Sequence, residues 1–328
     1  MHRTRRKVEL MRCLAIMALL VGVSASSVTL SAERQKVVAI YNLVSADILN
    51  QSVAGIKKGL ADEGFGPSRI RITEVNANGQ MNMLDGFSRE ILSSDPDIVV
   101  PISTPVTQSI FKLARPNQAI IFSTVTNPSD VGMDKHPANM TGVSDAVNYD
   151  ANLKLLRTLF PKSKIVGMIY NPGERNSQFG VAQVRQLVGK YGFQLKLVAV
   201  SNSTEILDGA RSLVDTVDVF YVGSDNTVVS GLEALLAVAR QHNKPVIASD
   251  EGSVTKGALA AVSVDYAKLG VAAGHLIAAV LRSGRSPGSF KNIFFYGDTM
   301  VVNRSTAKQL HMTIPANVLP PGTKFVGE

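Results

Sequence analysis

The chain has 328 residues, enough for two domains at roughly 150 residues each. Hydrophobic residues make up 45% and charged residues 18%, a globular composition that excludes a disordered or collagen-like chain; the lack of tryptophan and 6% aromatics argue against stacking platforms for single-stranded nucleic acid. The formal charge is +8, but Arg3, Arg5, Arg6, Lys7 and Arg12 against Glu9 put +4 of it in residues 1–32, and the +4 that remains forms no concentrated basic patch, so nucleic acid is not implied.

The basic N-terminus runs into an apolar stretch, Cys13–Val23, of 11 residues. A bilayer span needs about 20. A charged start, a short apolar run and a small-residue exit describe a secretory signal peptide. Two exits fit, after Ala25 and after Ala32; with Ala32, the signal peptide is residues 1–32. No later stretch approaches a membrane span, so a soluble mature protein in the periplasm is expected. Cys13 is the only cysteine. The mature chain is therefore expected to have no disulfide and no thiolate metal site, and it must be stable through core burial.

From Val37 onward, strands and helices alternate. Val37–Tyr41 reads as a buried strand. Ile48, Leu49, Val53, Ile56 and Leu60 follow at helical spacing, stopped by Gly64. Arg69–Val75 alternates like a strand, and Leu84, Phe87, Ile91 and Leu92 form a helix face. Asp97–Ile102 is a strand, 105–115 a helix, and Ala119–Phe122 a strand. The rhythm resumes with strands at Ile165–Tyr170 and near 194–200, 218–222, 245–248 and 258–264. Helices are predicted near 176–191, 204–215, 227–242 and 266–282. This alternation, with near-continuous apolar strands, predicts an α/β fold with parallel sheets covered on both faces.

A weak internal repeat divides the chain. Ile40-Tyr41-Asn42 ends the first strand, and Ile169-Tyr170-Asn171 ends its counterpart 129 residues later. Asp97 to Thr104 and Asp218 to Asp225 repeat one seven-residue interval, and Thr124 and Asp250 close the next strands. Two similar lobes follow. In parallel α/β sheets, ligands bind beyond the carboxyl ends of the strands. The candidates there are Tyr41, Asn42, Ser103, Thr104, Thr124, Thr126 and Asn127 in the first half. In the second half they are Tyr170, Asn171, Glu174, Asn176, Ser177, Ser224, Asp225, Asn226, Ser249 and Asp250. Helix-start N–H groups suit a carboxylate, and Glu174, Asp225 and Asp250 suit an ammonium. The same residues have plainer readings. Thr104, Ser177 and Asn226 also read as helix caps, Tyr41 and Tyr170 as packing, and Glu174 as a solvated turn residue.

Catalytic signatures are missing: there is no Gly-x-Ser-x-Gly elbow, Walker loop or Gly-x-Gly-x-x-Gly. His136, His242, His275 and His311 are scattered, so no metal and no cofactor is expected, and no enzyme.

Several strings resemble the solute-binding proteins of ABC importers, in particular the tryptophan/tyrosine-type branch. They are Val75-Asn-Ala-Asn-Gly79, Ser103-Thr-Pro105, Asn139-Met-Thr-Gly-Val-Ser144 and Tyr170-Asn-Pro-Gly-Glu-Arg-Asn-Ser177, the most specific. Ser224-Asp-Asn-Thr-Val228, Gly257-Ala-Leu-Ala260, Val264-Asp-Tyr266 and Ile314-Pro315 complete the set. The resemblance implies a type I periplasmic-binding fold, two Rossmann-like lobes joined by a three-segment hinge with crossovers near 142–148, 262–267 and 297–302. It implies an N-terminal lobe of 33–143 plus 265–298 and a C-terminal lobe of 144–264 plus 299–328. It carries Thr104, Glu174, Asn176, Ser177, Asp225 and Asp250 over as ligand contacts. The chain departs from the family pattern in having Leu43-Val-Ser-Ala-Asp47 for a Pro-x-Leu-Asp-like stretch and Thr126-Asn-Pro128 for Thr-Asp-Pro. The implied function is an exported, monomeric solute-binding protein that presents a small polar or zwitterionic ligand, an amino acid or relative, to an ABC permease in the membrane. The alternative is a periplasmic sensing module that presents the ligand to a chemoreceptor or sensor kinase. A lac-repressor-like regulator shares the fold but needs a DNA-binding helix-turn-helix where this chain has its signal peptide.

Overall fold

A computed structural model of the chain describes residues 34–314 and 319–328. The signal peptide read at 1–32, with its exits at Ala25 and Ala32, lies outside the described residues, as does Pro315. Among the described residues the strands form two sheets. The first contains β1 (Lys36–Asn42), β2 (Ile70–Asn76), β3 (Ile98–Ile102), β4 (Ile120–Val125), β5 (Met140–Ala146) and β11 (Ile293–Tyr296), in the order β11-β5-β4-β3-β1-β2. The second contains β6 (Ile165–Tyr170), β7 (Gln194–Ala199), β8 (Val219–Val222), β9 (Val246–Ala248), β10 (Ala260–Ser263), β12 (Thr299–Asn303) and β13 (Lys324–Val326), in the order β13-β12-β10-β9-β8-β6-β7. Strand pairing is parallel except between β10 and β12. The predicted α/β class with parallel sheets is what the chain adopts.

The repeat seen in the sequence has a physical basis. The core order β5-β4-β3-β1-β2 is reproduced as β10-β9-β8-β6-β7. Asp97 begins the Asp97–Thr104 interval and accepts from the Val37 N–H at 2.8 Å; Asp218 begins the matching interval and accepts from the Ile165 N–H at 2.9 Å. In each half, the carboxylate fastens the start of a third strand to the start of the first. Central strands such as β3 and β4 are buried along their whole length, because helices cover both faces; the edge strand β7 keeps exposed positions.

The helices are α1 (Asp47–Asp62), α2 (Leu84–Ser93), α3 (Thr104–Leu113), α4 (Tyr149–Leu159), α5 (Arg175–Leu187), α6 (Ile206–Val214), α7 (Asn226–Ser230), α8 (Leu232–Gln241), α9 (Glu251–Lys256), α10 (Tyr266–Ser283) and α11 (Arg304–Gln309). The single helix expected near 227–242 is two. Gly231 separates them and lies against the turn that leads into α6 so closely that a Cβ there would sit 2.8 Å from the Ser203 carbonyl oxygen. Strand β5 and helix α4 are not apparent in the sequence, because Thr141, Gly142 and Ser144 dilute the apolar run. A Cβ on Gly142 would fall 2.3 Å from the Phe122 carbonyl oxygen, so the small residue lets β5 lie under the Phe122 ring. The chain passes between the sheets in three places: between β5 and α4, between β10 and α10, and between β11 and β12. All three lie at the same end of the two sheets.

Candidate functional site

The carboxyl ends of β3, β4 and β5 meet at one face of the first sheet. After β3 the backbone turns through Ser103, held at φ 86°, a value costly for a residue with a Cβ. Helix α3 starts at Thr104-Pro105, and the Thr107 N–H closes its first turn on the Ser103 carbonyl at 3.1 Å. The earlier N–H groups of this turn have no intrahelical acceptor. The Ser103 hydroxyl is buried without a partner. In β4 the pairing register shifts between Ser123 and Val125, and Thr124 takes φ 58°. Ser52 holds this irregularity: its hydroxyl lies 3.0 Å from that of Ser123 and accepts from Thr124 at 3.2 Å.

Near the end of β5, Asp145 is 2% exposed. Its Oδ2 accepts from the Tyr266 hydroxyl at 3.1 Å, and its Oδ1 has no hydrogen-bond partner. Burial pushes this carboxyl up to about 7. Both members of the pair stand beside chain passages between the sheets, Asp145 before α4 and Tyr266 at the start of α10.

The second sheet presents a denser network. Glu174, fully buried, accepts from the Asn226 and Thr227 N–H groups at 3.1 and 2.9 Å. It also accepts from the Thr227 hydroxyl at 2.7 Å and from the side chains of Asn226 and Asn176 at 2.6 and 3.1 Å. Its charge is thereby met by five donors around the start of α7. Asp225 caps α7 by accepting from the Val228 N–H at 2.9 Å, and its other oxygen takes the Asn171 N–H and the Ser177 hydroxyl, both at 2.6 Å. Burial, with nearby Glu174, raises the Asp225 carboxyl to about 7. Asp250 caps α9 through the Ser253 N–H at 2.7 Å and the Ser253 hydroxyl at 2.6 Å, and burial raises its pKa as well. Asn176 donates to the Ser224 carbonyl at 3.0 Å and leaves its Oδ1 buried and free.

These surfaces face each other across a cavity. Ser103, Thr104, Thr124, Thr126, Asn176, Ser224, Asp225, Asn226, Ser249 and Asp250, all among the strand-end candidates, line it together with Asp145 and Tyr266. Only about 20 Å³ is open to the centre of a water molecule, because the faces touch. The Thr126 and Ser224 hydroxyls meet at 2.9 Å across the gap. Among the described residues, no lysine, arginine or histidine lines the cavity.

Other predicted residues are placed elsewhere. Tyr41 is buried in the core of the first half, its ring edge-on to Phe87 and its hydroxyl 3.4 Å from the Leu84 carbonyl. Asn42 is buried beside it, outside the cavity lining. Asn127 caps the short turn at Pro128, accepting from the Ser129 N–H at 3.4 Å. Tyr170 is half-buried against the second core. Ser177 holds Asp225 from behind. Glu174 borders a different pocket at the mouth of the cleft. Of the acids expected to meet an ammonium, Glu174, Asp225 and Asp250 all hold helix starts, and Asp225 and Asp250 line the cavity as well. Asp145 is the residue that sequence reading missed. The signal available in the sequence was its place directly after the Asn139–Ser144 string. No histidine, cysteine, aspartate or glutamate cluster able to hold a metal occurs among the described residues.

A two-lobed α/β clamp with a polar, acid-lined cleft at the strand ends is a solute-binding architecture. The chain belongs to the ABC transporter substrate binding protein family, whose profile matches residues 37–326. It is 34% identical over 285 residues to a tyrosine-binding protein of Clostridioides difficile strain R20291, covering 85% of this chain and 82% of that one. The ABC domain of Streptococcus pneumoniae in complex with L-Trp superposes with a TM-score of 0.85 at 29% identity, over 89% of this chain and all of that one. A ligand-free, open substrate-binding protein with adhesive properties from Clostridium difficile reaches 0.66 at 31% identity, over 89% of this chain and 99% of that one. The family is one of substrate-binding proteins and not of enzymes.

Proposed function

We propose that this protein is exported to the periplasm, closes as a monomer on a free amino acid and hands it to an ABC permease. The carrying observation is Asp145: a buried carboxylate with one unpartnered oxygen, in a cavity with no basic side chain. Such an oxygen suits an ammonium group. The ligand carboxylate takes the free N–H groups at the start of the ten-residue helix α3, next to the unpartnered Ser103 hydroxyl, and the Asn176 Oδ1 accepts a further ammonium proton. The two relatives that bind tyrosine and tryptophan support an amino acid as the class. The cavity is too small to admit such a head group as it stands, so the ligand enters while the lobes are apart and draws them together. Titration calorimetry of the purified protein with the common amino acids tests this, with Asp145→Asn as control. Amino-acid binding undiminished in Asp145→Asn would overturn the ammonium assignment.

A further inference from the structure

The cleft has a second compartment. A pocket of about 310 Å³ lies at the mouth, next to the edge strands β2 and β7 and away from the chain passages. Asn226 borders both it and the inner cavity. Its wall on the first-sheet side is the turn that follows Val75-Asn-Ala-Asn-Gly79, a string the inner cavity does not use. The turn is firmly built. Asn78 and Gly79 take φ 50° and 74°, the Asn78 N–H donates to the Asn76 side chain at 2.7 Å, and the Gly79 N–H donates to the Leu43 carbonyl at 2.9 Å. This turn presents three solvent-exposed amide side chains, Asn78, Gln80 and Asn82, which make no side-chain hydrogen bond to another described residue, and between them Met81, half-buried against the core. Opposite lies Ser203. The pocket contains no cationic residue, and its one acid, Glu174, already has five donors.

We infer that the Asn78–Asn82 turn selects the ligand's side chain, favouring an amino acid with a long, uncharged tail that carries a hydrogen-bonding group. This rests on the head-group reading above: Asn226 borders both compartments, so a head held at Asp145 leaves the outer pocket for its tail. The free amides donate to and accept from a neutral polar tail, and Met81 covers its apolar length. A charged tail would lose its hydration without meeting an opposite charge.

Calorimetry with L-alanine, L-glutamine, L-tyrosine, L-lysine and L-glutamate tests the assignment. Glutamine and tyrosine should bind at least about tenfold tighter than alanine, lysine or glutamate. Gln80→Ala with Asn82→Ala should cost the neutral long ligands about tenfold, as two neutral hydrogen bonds would, and leave alanine within about twofold. Gln80→Glu should improve lysine by about tenfold. Equal changes for alanine and glutamine, or no change in any ligand, would overturn the turn's role while leaving the head-group reading intact. Failure of every amino acid to bind would overturn both readings.

Discussion

Asp145 and Asp225 are both buried acids raised to about 7, yet their surroundings assign them opposite tasks. Asp225 has three protein donors and caps a helix, whereas Asp145 keeps an oxygen free. Asp145→Asn should weaken amino-acid binding by roughly ten- to hundred-fold, the loss of one charge-assisted hydrogen bond of about 1.5–3 kcal/mol, with little change in melting temperature. Asp225→Ala should instead lower the melting temperature of the free protein: a lost cap costs about 0.5–2 kcal/mol, and the stranded Asn171 N–H and Ser177 hydroxyl add about 1–3 kcal/mol each. The two variants, melted and titrated side by side, distinguish these tasks. An ammonium favours the charged form of Asp145, so affinity should be flat above about pH 7 and fall as pH drops below it. Stability should run the other way. Burial raises Asp145, Asp225 and Asp250 above the ordinary carboxylate value of 3.8, so the folded chain holds these protons more tightly than the unfolded one. That contribution is fully present below about pH 4 and is lost as pH rises towards about 7. Asp85, Asp150 and Asp218 are lowered by their hydrogen bonds and oppose it only at more acid pH. Thermal melts between pH 4 and 8 without ligand should therefore decline towards neutrality. At this scale the sequence was partly legible. Looking for polar residues where a strand meets a helix finds caps as readily as contacts, because both occur at strand ends. It passes over Asp145, whose value lies in a partner it lacks.

Among the elements, α1 and α10 set the site most directly. They cross at backbone distance. A Cβ on Gly55 would sit 2.5 Å from the Ala267 carbonyl oxygen, one on Gly59 2.3 Å from that of Val271, one on Gly270 2.2 Å from that of Ser52, and one on Gly274 2.4 Å from that of Ile56. No side-chain rotation relieves these contacts. Ser52 is the residue whose hydroxyl holds the Ser123–Thr124 irregularity at the cavity wall. Gly270→Ala should therefore destabilise the protein by about 1–3 kcal/mol or more and, by shifting Ser52, also weaken ligand binding. A melt of the variant in the presence and absence of amino acid checks both effects. The helical periodicity of both helices was evident in the sequence, but their mutual approach was not. Glycines at four-residue spacing become meaningful only when the partner is known, and the partners are more than 200 residues apart. The apolar strands were legible because burial on both faces leaves an unbroken hydrophobic run. β5 was not, since Gly142 answers to Phe122, and Thr141 and Ser144 to the Phe290 and Val125 carbonyls, rather than to solvent.

For the whole molecule, the reproduced strand order places two similar faces around one cleft, with all three chain passages at one end. Such a layout allows the halves to turn as rigid bodies about those passages. The polar contacts across the far side are few: the Thr126–Ser224 hydroxyl pair at 2.9 Å, and ion pairs of Arg175 with Asp130 at 3.5 Å and of Lys256 with Asp47 at 4.0 Å. Exposed pairs of this kind contribute about 0–1 kcal/mol each, and the hydroxyl pair replaces bonds to water. These polar contacts therefore add little to closure without ligand, and gathering Asp145, Asp225 and Asp250 in an enclosed space opposes it. An amino acid supplies an ammonium for Asp145 and a carboxylate for α3, contacts that exist only when both faces close on it. Small-angle scattering should show an open particle without ligand that contracts on addition of a binding amino acid, towards the roughly 19–20 Å radius of gyration of a compact chain of this length. Asp145→Asn should remain open at the same ligand concentration and contract only at concentrations ten- to hundred-fold higher, in step with its expected affinity. A radius unchanged by saturating ligand in the wild type, after refolding to remove any carried-over molecule, would show that the halves do not work as a clamp.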